Sequence, residues 1–140
     1  MATYDLEQTS ITINGVPVVG LDPDAGIVYS EDELWVTSAG THRSWTRSRS
    51  YGDVPTVEIG LMGESNGNAL FSEHLKLDKV SGRGTFNYVH YDGNSGTVIQ
   101  SSQAFVMSEP ELSYTSEAGG QTWTIALPNV KKDIKGLPLV

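Results

Sequence analysis

Turn-forming residues punctuate this chain about every 8–12 residues, a spacing that leaves room for short strands and little else. Glycine is frequent, at 15 of 140 residues. Between the turns lie short stretches of alternating or β-branched residues. Ser10–Ile13, the pair Asn14-Gly15 and Val16–Val19 read as a hairpin with a type I′ turn, because both central residues tolerate positive φ. Pro17 suits an edge strand, since it has no N–H to give a neighbour. Ile27–Ser30 and Leu34–Ser38 are further strands, and Thr56–Leu61 alternates with period two. Residues 64–78 interrupt the pattern. Leu70, Phe71 and Leu75 or Leu77 fall at helical spacing there, and Ser65, Asn66 or Asn68 is available to cap the start.

Strands resume over Gly84–Tyr91 and Thr97–Met107, separated by the turn Asp92-Gly93-Asn94-Ser95-Gly96. A last pair is expected from Glu111–Thr115 and Gln121–Leu127, turning at Glu117–Gly120. The expected fold is mainly β, a β-sandwich or barrel with one short flanking α-helix. It is one domain over 1–140, with a loop insertion at about 41–53 and a polar C-terminal arm at about 129–140. Two long hairpins are expected, one pairing Leu34–Ser38 with Thr56–Met62, the other Thr85–Tyr91 with Val98–Met107. Alternation places Val57, Ile59 and Leu61 opposite Thr56, Glu58 and Gly60, and Phe86 and Tyr88 opposite Thr85 and Asn87. Continued along the last strand, it sets Ile99, Phe105 and Met107 against Gln100, Ser102 and Ala104. The second set of each pairing makes a small, polar face whose main charge is Glu58, without Lys or Arg.

Composition narrows the function. The chain lacks cysteine, which removes disulfides, thiolate metal sites and cysteine nucleophiles and fits assembly in a reducing cytoplasm. Nothing approaches the roughly 18–20 apolar residues that span a bilayer, and Met1–Asp5 lacks the basic and apolar regions of a secretory signal. His42, His74 and His90 have no metal-ligand spacing, and no GxSxG elbow is present. Gly60-Leu61-Met62-Gly63 and Gly82-Arg83-Gly84 have no Lys-Ser/Thr to meet a phosphate, and Asp22-Pro23-Asp24-Ala25-Gly26 lacks the ligand pattern of a calcium loop. The expectation is no enzyme, no catalytic residue, no metal and no cofactor.

Charge is uneven. Net charge is −8, yet Arg43, Arg47 and Arg49, three of the nine basic residues, crowd into Thr41–Tyr51 together with Trp45 and Tyr51. No Lys or Arg precedes Arg43, whereas Asp5, Glu7, Asp22, Asp24, Glu31, Asp32 and Glu33 do. Copies with separate acidic and basic surfaces attract head to tail. Trp, Tyr and Arg are also the residue types enriched at interface hot spots. Single-stranded nucleic acid is an alternative partner for the Arg/Trp run, disfavoured by the acidic balance. A carbohydrate-binding sandwich using Trp35, Trp45 and Trp123 as sugar platforms is another.

The order of these features resembles the tail tube proteins of long-tailed bacteriophages, particularly those with contractile tails. It is carried by Tyr4-Asp5, Thr12-Ile13-Asn14-Gly15, Glu31-Asp32-Glu33 before Trp35, an Arg/Ser-rich loop leading into Val57-Glu58-Ile59, and Ser65-Asn66-Gly67-Asn68-Ala69-Leu70. Leu112-Ser113-Tyr114 and Thr122-Trp123-Thr124-Ile125 close the pattern. The type VI secretion tube protein is similar in fold. The resemblance implies a structural virion protein in the tail, assembled in the host cytoplasm, whose hexameric rings stack into a channel for DNA ejection. On it, Arg43, Trp45, Arg47, Arg49 and Tyr51 contact the neighbouring ring, and Thr56, Glu58, Thr85, Asn87, Gln100 and Ser102 face the lumen. The implied partners are other copies of the chain, tail sheath, baseplate and terminator proteins, and DNA in transit, with no membrane insertion. The alternative within the same class is another β-rich tail component, a baseplate or tail-completion ring protein.

Overall fold

The computed structural model describes residues 4–23, 25–52, 54–112 and 119–136. β1 (Thr9–Ile13) and β2 (Val16–Val18) form the expected hairpin, with Asn14 at φ 50° and Gly15 at φ 82° supplying the turn. β2 lies at the sheet edge, where Pro17 costs no ladder bond. Ahead of β1, Asp5 caps a 3-10 turn at Leu6–Gln8 by accepting the Glu7 N–H at 3.0 Å.

β3 (Ile27–Ser30), β6 (Thr56–Leu61), β7 (Phe86–Asp92), β8 (Val98–Ser108) and β9 (Gln121–Ala126) join β1 and β2 in the antiparallel order β2-β1-β7-β8-β9-β6-β3. The long strand β8 belongs to two ladders. Its first half pairs with β7 and its second half with β9. A β-bulge sits between. Tyr88 pairs with Ser101 but Phe86 pairs with Ala104, so Ser102 and Gln103 both lie opposite Asn87 and both are exposed.

That extra residue corrects the expected faces of β8. Ile99 is buried and Gln100 and Ser102 are exposed, as alternation requires. Beyond the bulge the phase inverts: Ala104 and Val106 enter the core, Phe105 is half-buried and Met107 is exposed. On β6 and β7 the expected faces hold, with Val57, Ile59, Leu61, Phe86 and Tyr88 buried and Glu58 and Asn87 exposed, except that Gly60, expected on the outer face, is buried under Ala25 and Gly26.

α1 (Asn66–Ser81) covers the core with Phe71, whose ring centroid lies 5.6 Å from Trp123 and 6.1 Å from Phe86. Leu70 and Leu75 pack beside it, whereas Leu77 is exposed. Ser65 is the N-cap and accepts the Gly67 N–H, and its hydroxyl donates to the Val19 carbonyl. Asn66 accepts the Val19 N–H and donates to Pro17 O. Asn68 donates to Met62 O and accepts the Trp123 indole N–H at 2.9 Å. The polar stretch entering the helix is thus a clamp on β2, β6 and β9. Gly82, at φ 70°, ends the helix by donating its N–H to Asp78 O.

Two expected pairings and the expected arm differ. Thr56–Leu61 pairs with β3 and β9, not with Leu34–Ser38. Instead β4 (Trp35–Ala39) pairs with β5 (Trp45–Arg49), a strand inside the supposed loop, as a separate two-stranded sheet. β9 lies between β8 and β6. Of its expected partner, Glu111 and Leu112 form no strand, and 113–115, with the turn residues 117 and 118, lie outside the described residues. Part of the expected C-terminal arm is a strand, β10 (Lys131–Asp133), which pairs with β8.

Candidate interaction surface

Register decides what the β4–β5 ribbon presents. Directly opposed pairs are Trp35 with Arg49, Thr37 with Arg47, and Ala39 with Trp45. Residues of opposed pairs share a face and alternate pairs change face. One face therefore carries Trp35, Thr37, Ala39, Trp45, Arg47 and Arg49. The other carries Val36, Ser38, Thr46 and Ser48. Both tryptophans and both strand arginines stand on the same side.

Almost all of this is in solvent. Every residue of β5 is exposed, and in β4 only Trp35 is half-buried. Trp45 is 74% exposed and Tyr51 87%. Arg47 lies over the Trp35 ring at 4.2 Å and Arg49 over Tyr51 at 5.6 Å, each cation–π contact worth about 0.5–1 kcal/mol at an exposed site. From Trp35 to Tyr51 there is no Asp or Glu. The ribbon tip, Thr41–Arg43, is a tight turn in which His42 (φ 62°) and Arg43 (φ 60°) are left-handed, a conformation that non-glycine residues seldom adopt. Gly40 N–H to Ser44 O, and Ser44 Oγ to Thr41 O, close it. At the base Ser50 N–H donates to Leu34 O at 2.7 Å, extending the ladder one step.

Of the five residues expected at this contact, Trp45, Arg47 and Arg49 come together on one face. Arg43 sits at the tip, and Tyr51 follows β5 under Arg49. The uncharged face formed by Val36, Ser38, Thr46 and Ser48 escapes a sequence reading. Its residues show no apolar alternation, and only the pairing reveals them as a surface.

The six residues of the expected polar face are spread over the body. Glu58, Thr85, Asn87, Gln100 and Ser102 are exposed and Thr56 is half-buried. Asn87 and Ser102 meet across the bulge, whereas Thr56 and Glu58 on β6 are separated from β8 by β9. β10 sets Lys131 directly beside Gln100, so a cation stands on this face, contrary to expectation. The histidines are scattered: His42 at the ribbon tip, His74 on α1 against Phe86, and His90 inside β7. Among the described residues no group of three His, Asp or Glu could hold a metal ion.

No family profile matches the chain, and no curated protein matches its sequence. Solved structures match its fold. A chain of the sheath/tube terminator of an extracellular contractile injection system, PVC in the extended state, superposes with a TM-score of 0.60 at 11% identity, over 96% of this chain and 99% of that one. The tube-terminating cap of the anti-feeding prophage gives 0.54 at 14% identity, over 95% and 93%. A chain of the PVC sheath-tube complex in the extended state gives 0.55 at 13% identity, over 90% and 88%. The chain thus shares, over almost its whole length, a fold found in the tube-end and sheath-tube parts of contractile injection systems.

Proposed function

We propose that this chain is a structural, non-enzymatic component of a contractile tail or injection particle, and that it forms the ring that terminates or caps the tube. The observation that carries this reading is the end-to-end fold likeness to a sheath/tube terminator and to a tube-terminating cap. The working surface is the ribbon. Arg43, Trp45, Arg47, Arg49 and Tyr51 dock on an acidic surface of a neighbouring copy or of a tube or sheath subunit. The remainder of the chain holds 17 acidic residues against six basic ones, which makes a second copy a suitable acceptor.

A second reading is the tube subunit itself, stacking in hexameric rings as a channel for DNA ejection, with Thr56, Glu58, Thr85, Asn87, Gln100 and Ser102 toward the lumen. The likeness to a chain of a sheath-tube complex favours it. Electron microscopy of the purified protein separates the two. Discrete rings that do not elongate, and that seat on one end of preformed tubes, are expected of a terminator. Long hollow tubes formed by the protein alone support the tube subunit. A monomer that binds neither itself nor tube ends overturns both.

A further inference from the structure

One polar array, buried at Tyr88 and His90 and half-buried at Tyr29, joins the two ladders of the body. Tyr29, on β3, has its hydroxyl 2.6 Å from the Tyr88 hydroxyl and 2.6 Å from His90 Nδ1, both on β7. The Tyr29 and His90 rings are stacked, with centroids 5.6 Å apart and planes within 9°. β3 is the edge strand at one end of the sheet path, and β7 lies four strands away along it. Among the described residues β6 is the only strand paired with β3. The array is therefore a bridge across the sandwich, fastening the strand that leads directly into the ribbon. Lys132 of β10 reinforces it, lying 5.7 Å from the Tyr29 ring and bonding Glu31 at 2.9 Å.

His90 is 8% exposed, and its Nε2 is buried without a hydrogen-bond partner. Neutral imidazole suits the site. With the proton on Nε2, Nδ1 accepts from the Tyr29 O–H, and Tyr29 in turn accepts from Tyr88. Protonating the ring turns Nδ1 into a donor. Tyr29 must then point its hydrogen at Tyr88, and Tyr88, fully buried and bonded to Tyr29 alone among the described residues, has nowhere to send its own. One added proton thus reverses the chain and strands the Tyr88 O–H in the core, in addition to the Nε2–H that already lacks a partner, which costs stability.

We propose that Tyr29, Tyr88 and His90 form a proton-controlled latch that fastens β3, and with it the root of the β4–β5 ribbon, to the opposite ladder: closed while His90 is neutral, released in acid. Among the described residues the groups around His90 are few. Tyr29 faces it from β3, with Glu31 beyond, and Tyr88 and Asp92 share its own strand. Lys132 comes from β10, and Tyr4 shares with it a cavity of about 460 Å³. The other lining residues, including Leu6, Thr9, Pro23 and Ile27, are uncharged, as are Ile11 and Ile99, its direct neighbours on β1 and β8. Burial pushes the His90 pKa below 6.5, and Asp92 offsets this only in part. With the folded value below the unfolded one, the unfolded chain takes up more protons as pH falls beneath 6.5. Stability is complete above that pH and is lost through the window down to the lowered value.

The test pairs an imidazole NMR titration of histidine-labelled protein with hydrogen exchange at pH 7.5 and 5.5, corrected for intrinsic exchange rate. His90 is expected to titrate below 6.5, and amides of β3 to lose about tenfold or more of their protection at pH 5.5 while those of β1 and β6 keep theirs. His90→Gln, which cannot titrate, is expected to abolish the difference. Tyr29→Phe, which removes the bridge but leaves the imidazole, is expected to expose β3 already at pH 7.5, and it serves if the glutamine variant fails to fold. Titration at or above 6.5, uniform loss of protection along the chain, or Tyr29→Phe retaining wild-type protection and pH response overturns the latch.

Discussion

The body and the ribbon of this molecule are held together by different forces. In the body each long strand sends alternate residues into one core, where Ile59, Leu61, Phe71, Tyr88 and Ile125 are wholly removed from water. The ribbon has no core. Its ten strand residues are exposed except Trp35, and among the described residues its contacts are one backbone ladder, two cation–π contacts and a strained tip. A two-stranded hairpin of this kind is marginally stable alone. Residues in the body are chosen for shape and apolarity, since burial supplies most of the folding energy. Ribbon residues answer no such demand. Tryptophan and arginine on one exposed face are therefore informative in a way that a buried tryptophan, such as Trp123, is not.

Substitutions can break that contrast. The largest loss is expected from Phe71→Ala, which empties the space between Phe86 and Trp123 and should cost about 3–5 kcal/mol in urea unfolding. Next is Ser65→Ala, which removes the helix N-cap and the tie to Val19 together and should cost about 1–2 kcal/mol. Helical content measured by circular dichroism should fall only slightly, because Asn66 and Asn68 still hold the helix start. Arg47→Ala removes the cation above Trp35. Its expected cost to folding is below about 1 kcal/mol, but the Trp35 indole loses its cover and its fluorescence emission should shift red. A Phe71→Ala chain no less stable than wild type, or an Arg47→Ala chain as damaged as Phe71→Ala, would dissolve the distinction between body and ribbon.

The two regions were also unequally legible. Strands β1, β2, β3, β6 and β7, and the helix with its Ser65 cap, follow from alternation, turn chemistry and helical spacing, because burial imposes a period on the residues that fill a core. The same rule fails at Ser102–Gln103, where one extra residue inverts the phase and nothing in the residue types marks the bulge. It fails altogether for β5. Trp-Thr-Arg-Ser-Arg, exposed on both faces, has no apolar period, so the segment reads as loop and its true partner, Trp35–Ala39, is assigned to the nearest apolar strand instead. Register here is fixed by the tip turn, not by burial. The surface of greatest functional interest is thus visible in composition but not in geometry. The latch is hidden for another reason: Tyr29 and His90 are 61 residues apart, and only the closing of the sandwich brings them to 2.6 Å.

The sharpest use of the contrast needs the smallest change in folding. Arg47→Glu with Arg49→Glu reverses two charges on the aromatic face and touches no buried atom. The two lost cation–π contacts, each worth about 0.5–1 kcal/mol, belong to the ribbon and not to the body, so unfolding of the body should barely move. Association should change greatly. The wild-type ribbon is a cationic patch on a chain of charge −8, and attraction between it and an acidic surface weakens with salt as the screening length shrinks to about 10 Å at 0.1 M. Rings or tube-end complexes of the wild type should therefore dissociate as salt rises, and the double mutant should fail to form them at low salt while melting like the wild type. If the mutant assembles normally, the ribbon is not the contact. If the wild type resists salt and only Trp45→Ala disrupts it, the contact is aromatic burial, with the arginines serving mainly to cover Trp35 and Tyr51. Retention of the wild type on single-stranded DNA, lost in the double mutant while protein association persists, would assign the same face to nucleic acid instead.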